Sequence, residues 1–215
     1  VVPFAVIPRS GGAQEDFQTL FARYALPEKF FYLPNQFWRH KNHALVIEAL
    51  ALLKKAGCDV VVAASGSTTD PRAPGYYAEL QHMVRSLGLE DNFRFLGMIS
   101  RADVMALMRT CTAVVNPSLH EGWSTTVEEA KAFAKRLLLS NIAVHREQAG
   151  DRALLFAVDK PEQLAEAMRT IWLESSDSCP DANSVNSAAE RYESNLRVYA
   201  DRLLDVFDAS VVARK

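Results

Sequence analysis

The chain has 215 residues, 49% hydrophobic and 23% charged, enough to bury one sizeable core and too much for a peptide-sized module. Its 24 Lys and Arg against 26 Asp and Glu leave a net charge of -2, which excludes a general electrostatic pull toward nucleic acid or anionic membrane. Any anion site must therefore be local.

The opening "VVPFAVIPRSGG" has no basic region ahead of its apolar stretch, so it does not read as a signal peptide. It also lacks an initiator Met, and the chain is expected to be a piece of a longer protein. Residues 1–29 are read as a leading segment. From residue 30 to 174, short apolar runs alternate with amphipathic stretches, the pattern of an α/β fold. The strand-length runs are "FFYLPN" (30–35), "VVVAAS" (60–65), "FRFLG" (93–97), "AVVNPS" (113–118), "RLLLSN" (136–141) and "ALLFAV" (153–158). The helical stretches are "KNHALVIEALALLKKAG", "GYYAELQHMVRSLG", "RADVMALMRTC", "TTVEEAKAFAKR" and "PEQLAEAMRTIWLE". Gly57 and Gly88 stand where a helix C-terminus favours a left-handed residue, and Pro161 where a first helical turn accepts proline.

Strands apolar almost throughout predict a mainly parallel, Rossmann-like sheet with helices on both faces, a three-layer α/β/α domain whose ligands bind beyond the strands' carboxyl ends. A polar connector (175–184) leads to a last helix (185–215), with Tyr192, Leu196, Tyr199, Leu203 and Phe207 on one stripe. No apolar run approaches the roughly 18 residues of a membrane span. Cys58, Cys111 and Cys179 are odd in number and form no C-x-x-C pair, so a reducing cytoplasm is the expected location.

The chemistry concentrates in "HEGWSTTVEEA" (120–130). Thr125 with Glu128, or Thr126 with Glu129, makes a capping box, so a helix starts near Ser124 or Thr125. Its unpartnered first-turn N–H groups and dipole suit a phosphate, and Gly122 admits a ligand close to the backbone. Glu121 and Glu129 flank that point. A carboxylate beside a phosphate repels it unless aimed at hydroxyls, so the pair suits the diols of a sugar and a ribose. Capping alone accounts for Glu128. Trp123 either packs beneath the loop or binds, and His120 either neighbours Glu121 in solvent or binds. Of the possible metal ligands, His40 and His43 have no third partner in the sequence, and no metal is expected. No G-x-G-x-x-G, G-x-x-x-x-G-K-[ST] or G-x-S-x-G motif occurs.

The stretch "PSLHEGWSTTVEEA" (117–130) resembles the Glu-x7-Glu signature of family 4 retaining glycosyltransferases of the GT-B fold, in their C-terminal, donor-binding half. The resemblance extends through "VPFAV", "RHKNHALVIEAL", "FLGMISRADVMALM", "SNIAVHREQAGDRALLF" and the helix from Pro161. It implies transfer of a hexose-type sugar from a nucleotide diphosphate sugar, UDP- or GDP-linked, with retention and without a metal or other cofactor. By resemblance, Glu129 holds the ribose hydroxyls and Glu121 lies by the transferred sugar. Gly122, Trp123, Ser124 and Thr125 meet the distal phosphate and sugar, and Lys41 neutralises the diphosphate. Met98 and Ile99 contact the base, and Gly66 is a loop glycine by the donor. His145 and Glu147 fall near a donor loop.

The family usually has an arginine five positions before the lysine. Gln36 stands there instead, leaving Arg39 as the candidate second charge. The acceptor, and any peripheral membrane contact, would belong to an N-terminal half absent from this chain, so the piece alone is expected to bind nucleotide without turnover. Two other readings stay open: a non-catalytic nucleotide-sugar binding module, and a GT-B sugar-nucleotide epimerase.

Overall fold

A computed structural model describes residues 17–150 and 153–174, with residue 197 alone beyond them. Six strands form one parallel sheet: β1 (Phe31–Leu33), β2 (Val62–Ser65), β3 (Phe93–Gly97), β4 (Ala113–Asn116), β5 (Arg136–Ser140) and β6 (Ala153–Phe156). Their order across the sheet is β3-β2-β1-β4-β5-β6. Every pairing is parallel, with Phe31 opposite both Val62 and Ala113. All six lie within the runs predicted from sequence. The β1, β2 and β4 residues are buried without exception, because helices cover both faces.

Alternation along each strand divides the core. Phe31, Leu33, Val62, Ala64 and Val115 face one way, onto α2 (His43–Lys55), α3 (Tyr76–Ser86) and α7 (Pro161–Glu174). Phe30, Tyr32, Ala63, Val114 and Leu139 face the other, onto α1 (Phe17–Tyr24), α4 (Arg101–Thr110) and α5 (Thr125–Ala132). The result is the three-layer α/β/α domain expected. Gly57 and Gly88 adopt φ of 72° and 62° after α2 and α3, as left-handed helix ends require.

Three differences from the sequence reading have local causes. Residues 17–24, set aside in the leading segment, form α1 and belong to the domain. Phe21 meets Phe30 edge-on at 5.9 Å, and Arg23 and Tyr24 bond Asp103 at 3.0 and 2.7 Å. Its apolar residues Phe17, Leu20, Phe21 and Tyr24 stand at helical spacing, a signal that reading residues 1–29 as a leading segment passed over. A second short helix, α6 (Ala143–Gln148), follows β5 where no element was predicted. The helix predicted to run to residue 136 stops at Ala132, because Ala134 takes the left-handed φ of 53° that ends it. The connector, the last helix with its Tyr192 to Phe207 stripe, Cys179 and the residue 1–16 junction lie outside the described residues.

Candidate functional site

The strand order reverses between β1 and β4, so the connections leaving these two strands diverge to opposite faces and open a crevice beyond their carboxyl ends. The crevice has a volume of about 360 Å³ and is lined by the ends of β1, β2 and β3 and by the helix starts that follow β3 and β4. Pro34, Asn35 and Gln36 come from the end of β1, Ser65 and Gly66 from β2, and Met98 and Ile99 from β3. Trp38 and Lys41 reach in from the turn before α2, Arg101 and Val104 from α4, and Thr125, Thr126 and Glu129 from α5. Of the residues expected from sequence, Lys41, Gly66, Met98, Ile99, Thr125 and Glu129 thus line one cleft.

Gly66 is fixed by contact. A Cβ there would sit 2.5 Å from the Asn35 carbonyl oxygen and 2.8 Å from the Gln36 Cα, at a φ of 152°. The close approach lets Gln36 Oε1 accept the Ser67 N–H and lets the Asn35 side chain turn into a buried polar chain. Asn35 donates to Asn116 Oδ1 at 3.0 Å, and Asn116 donates to Ser124 Oγ at 2.9 Å. These partners satisfy amides that burial would otherwise penalise.

Ser124 is the N-cap of α5, yet its hydroxyl faces Asn116 and makes no capping bond. The capping box predicted from Thr125 and Glu128 does not form. Gln148 replaces it from α6, accepting the Ser124 N–H at 3.1 Å and donating to the Ser124 carbonyl and Glu128 Oε1, each at 2.9 Å. Glu128 also pairs with Lys131. No side chain therefore occupies the first-turn N–H groups as a cap, and Thr125 and Thr126 at that turn face the cleft.

Lys41 and Glu121 meet at 2.5 Å with only 13% and 10% of their side chains exposed. Ser118 donates to the same carboxylate oxygen at 2.7 Å. Burial pushes the Glu121 carboxyl up, but the Lys41 ammonium and the Ser118 hydroxyl outweigh it, and the carboxyl lies below the ordinary glutamate range. Glu121 is thus ionised near neutral pH, with its oxygens able only to accept. The loop carrying Glu121 is tied to the turn carrying Lys41. Leu119 N–H donates to the His40 carbonyl at 2.8 Å, and His120 stacks on His40 at 4.6 Å.

Behind this pair, His145 is fully buried. Its Nδ1 lies 3.0 Å from the Ser140 carbonyl, which can only accept, so Nδ1 carries the proton in the neutral ring. Burial holds His145 below its ordinary range against the upward pull of Ser140 and Glu121. His43 cannot share a metal with His40, because it is sealed in the core, stacked 4.6 Å from Phe37. Among the described residues, no group of three or more His, Cys, Asp or Glu is placed to hold a metal.

Glu129, 9% exposed, accepts both arms of the Arg101 guanidinium, at 3.2 Å from Nη1 and more closely from Nη2. Arg39, the candidate second charge, points elsewhere. It bonds Glu79 at 2.8 Å and lies over the Tyr76 ring, outside the cleft. Gly122 is exposed, with room for a Cβ on every side, so neither packing nor backbone demands glycine there. Trp123 is half-buried off the cleft and its indole N–H has no hydrogen-bond partner among the described residues. Sequence reasoning missed Arg101, Asn35, Asn116, Ser118 and Gln148. The "PN" that closes "FFYLPN" and the "NPS" at the end of β4 hinted at Asn35, Asn116 and Ser118, as polar residues closing apolar strands.

Residues 16–191 match the family model described as Glycosyl transferases group 1. The chain is 29% identical over 169 residues to the O-antigen chain mannosyltransferase RfbU of Salmonella typhimurium, covering 77% of this chain and 44% of the relative. It is 29% identical over 160 residues to the serotype-specific mannosyltransferase WbdA of Escherichia coli, covering 71% of this chain and 18% of that one. The chain therefore spans less than half the length of these curated relatives. Among solved structures, a glycosyltransferase from Rickettsia africae superposes with a TM-score of 0.78 at 18% identity, over 93% of this chain and 53% of that chain. Anabaena HepE in complex with UDP superposes with a TM-score of 0.74 at 21% identity, over 90% of this chain and 54% of that chain.

Proposed function

The chain belongs to the glycosyl transferases group 1, and we propose that it is the donor-binding half of an enzyme that moves a hexose-type sugar from a nucleotide diphosphate sugar to an acceptor. The carrying observation is the composition of one cleft: an uncapped helix start, Lys41 and Glu129 line it, and Lys41 is paired with Glu121 beside it.

The diphosphate sits on the first-turn N–H groups of α5, with Lys41 above it. An ammonium has three donors, and only one is committed to Glu121, so the others remain for phosphate oxygens. Charge developing on the departing diphosphate is met by these fixed groups, and no metal is needed to neutralise it. Glu121, held by Lys41 and Ser118, accepts hydroxyls of the transferred sugar and fixes its anomeric carbon in place. Glu129 accepts the ribose hydroxyls, and Met98 and Ile99 border the base.

The mannosyltransferase relatives support a hexose, the UDP-bound HepE supports a nucleotide in this fold, and the family resemblance supports retention. The acceptor is held by a further domain, in keeping with coverage of 44% of RfbU, so this chain alone binds donor with little transfer. The intact Lys41–Glu121 pair favours this reading over a module that has given up its phosphate charge.

The test is calorimetric titration of the chain with UDP, GDP, ADP and CDP, repeated on Glu129→Ala. One diphosphate should bind selectively, and the variant should weaken it by about tenfold or more, as expected for hydrogen bonds to a charged acceptor. Absence of binding by all four would refute the donor site as drawn, and undiminished affinity in the variant would refute the ribose role of Glu129.

A further inference from the structure

The cleft presents a charge problem. A nucleoside diphosphate brings two or more negative charges to a cleft that is lined by one carboxylate, Glu129, and has a second, Glu121, bonded to its lining Lys41. Among the described residues lining the cleft, the cations are Lys41 and Arg101, and each is bonded to one of those carboxylates. Gln36 is neutral and engaged with Ser67, and Arg39 is drawn off to Glu79 and Tyr76.

The two ion pairs differ in one respect. Lys41 is as buried as its partner, whereas Arg101 is 62% exposed against 9% for Glu129. The guanidinium is therefore the member of the pair that can leave without disturbing the core, while its carboxylate partner is enclosed. An exposed arm loses little by leaving such a pair, since solvent already screens much of the attraction. Glu129 accepts two hydrogen bonds before and after if two hydroxyls replace the two guanidinium arms, and the charge attraction it gives up is offset where the guanidinium meets the phosphate. Guanidinium also matches phosphate oxygens with the same two-pronged geometry it uses on carboxylate.

Resting on the donor-site reading above, we propose that Arg101 is a donor-binding residue that changes partner: ribose hydroxyls take over Glu129, and the released guanidinium closes onto the diphosphate. Arg101 then supplies the second positive charge that Gln36 and Arg39 do not. Recognition of ribose and of phosphate becomes coupled, since neither alone both frees Arg101 and uses it.

The test compares the chain with Arg101→Gln, Glu129→Gln and the double variant, titrated with UDP, GDP, the matching nucleosides and inorganic pyrophosphate. Weak ligands are read by displacement. For the diphosphate that the wild-type chain binds, Arg101→Gln should weaken affinity by about tenfold or more. The matching nucleoside should bind as well as before or better, because its ribose no longer competes for Glu129. Glu129→Gln should tighten pyrophosphate, by leaving Arg101 unengaged, and the double variant should abolish that gain. The double variant also removes the buried unpaired carboxylate, so a folding defect in the single variant does not obscure the result. Equal losses for nucleoside and diphosphate in Arg101→Gln would show that Arg101 only orients Glu129 and would overturn the exchange alone. No change in either ligand would overturn it too. A wild-type chain that binds no nucleoside diphosphate overturns the donor reading and the exchange together.

Discussion

Acidification should destabilise this protein through His43, by an amount the structure allows to be worked out. His43 opens α2, two residues after Lys41, and is fully buried against Phe37 with neither ring nitrogen at hydrogen-bond geometry. The Asn35 backbone lies close enough to pull its pKa upward without completing a bond, and burial overwhelms that pull, pushing the imidazole down to about 3. The folded state therefore keeps His43 neutral where the unfolded chain, with its imidazole near about 6.5, takes up a proton. Stability is flat above the unfolded value and falls as pH drops toward the folded one. The slope approaches about 1.4 kcal/mol per pH unit, so about 3 kcal/mol is lost between neutral pH and pH 4.5. Chemical denaturation at a series of pH values measures this directly. His43→Leu removes the titration while keeping a side chain of similar volume, and it leaves no orphaned ring nitrogens. It should lie within about 1 kcal/mol of wild type at neutral pH and shrink the acid loss by about 3 kcal/mol. Other titrating groups act on both proteins alike, so they cancel in the difference. Parallel pH profiles for the two would refute the reasoning.

Gly66→Ala forces a Cβ into the Asn35 and Gln36 backbone, so it should cost about 2–4 kcal/mol in thermal or chemical unfolding and weaken nucleotide binding in titration. Lys41→Met leaves the Glu121 carboxylate with Ser118 as its remaining partner and should destabilise by about 3 kcal/mol near neutral pH. Adding Glu121→Gln should recover part of that loss, read as a double-mutant cycle of denaturation midpoints. In wild type, the depressed Glu121 carboxyl stabilises above the ordinary glutamate range and loses that contribution as pH falls through its folded value, so Lys41→Met should flatten the most acidic limb. Gln148→Ala removes three bonds at the start of α5 and should cost about 1–3 kcal/mol, with nucleotide affinity falling as the helix start loosens.

The strands and the long helices were legible because burial imposes period. "VVVAAS" and "AVVNPS" are apolar throughout because sheet residues between two helical layers have no solvent face, and α2 and α7 repeat every three or four residues because one face meets the sheet. Glu121 and Glu129 were legible because their spacing brackets a helix start, and Lys41 was legible only through the family resemblance. Short elements were harder to read: α6 has 6 residues, too few for a period, while α1 carries Phe17, Leu20, Phe21 and Tyr24 at helical spacing but lies in a segment read as leading into the domain. The capping box failed for a related reason. Local spacing offered Glu128 to the helix start, but Gln148, 24 residues beyond Ser124, reached that backbone from another helix.

The pairing of charges shows the division most clearly. The sequence by itself determined the fold class and that two carboxylates flank a helix N-terminus, since periodicity and capping act over a few residues along the chain. Which cation faces which carboxylate was decided only by tertiary structure. Arg39 stands two residues from Lys41 yet turns to Glu79, while Arg101, 28 residues before Glu129, is brought to it because the ends of β3 and β4 empty into the same crevice. Charge is long-ranged and indifferent to sequence separation, so its partners follow from where the strands place them.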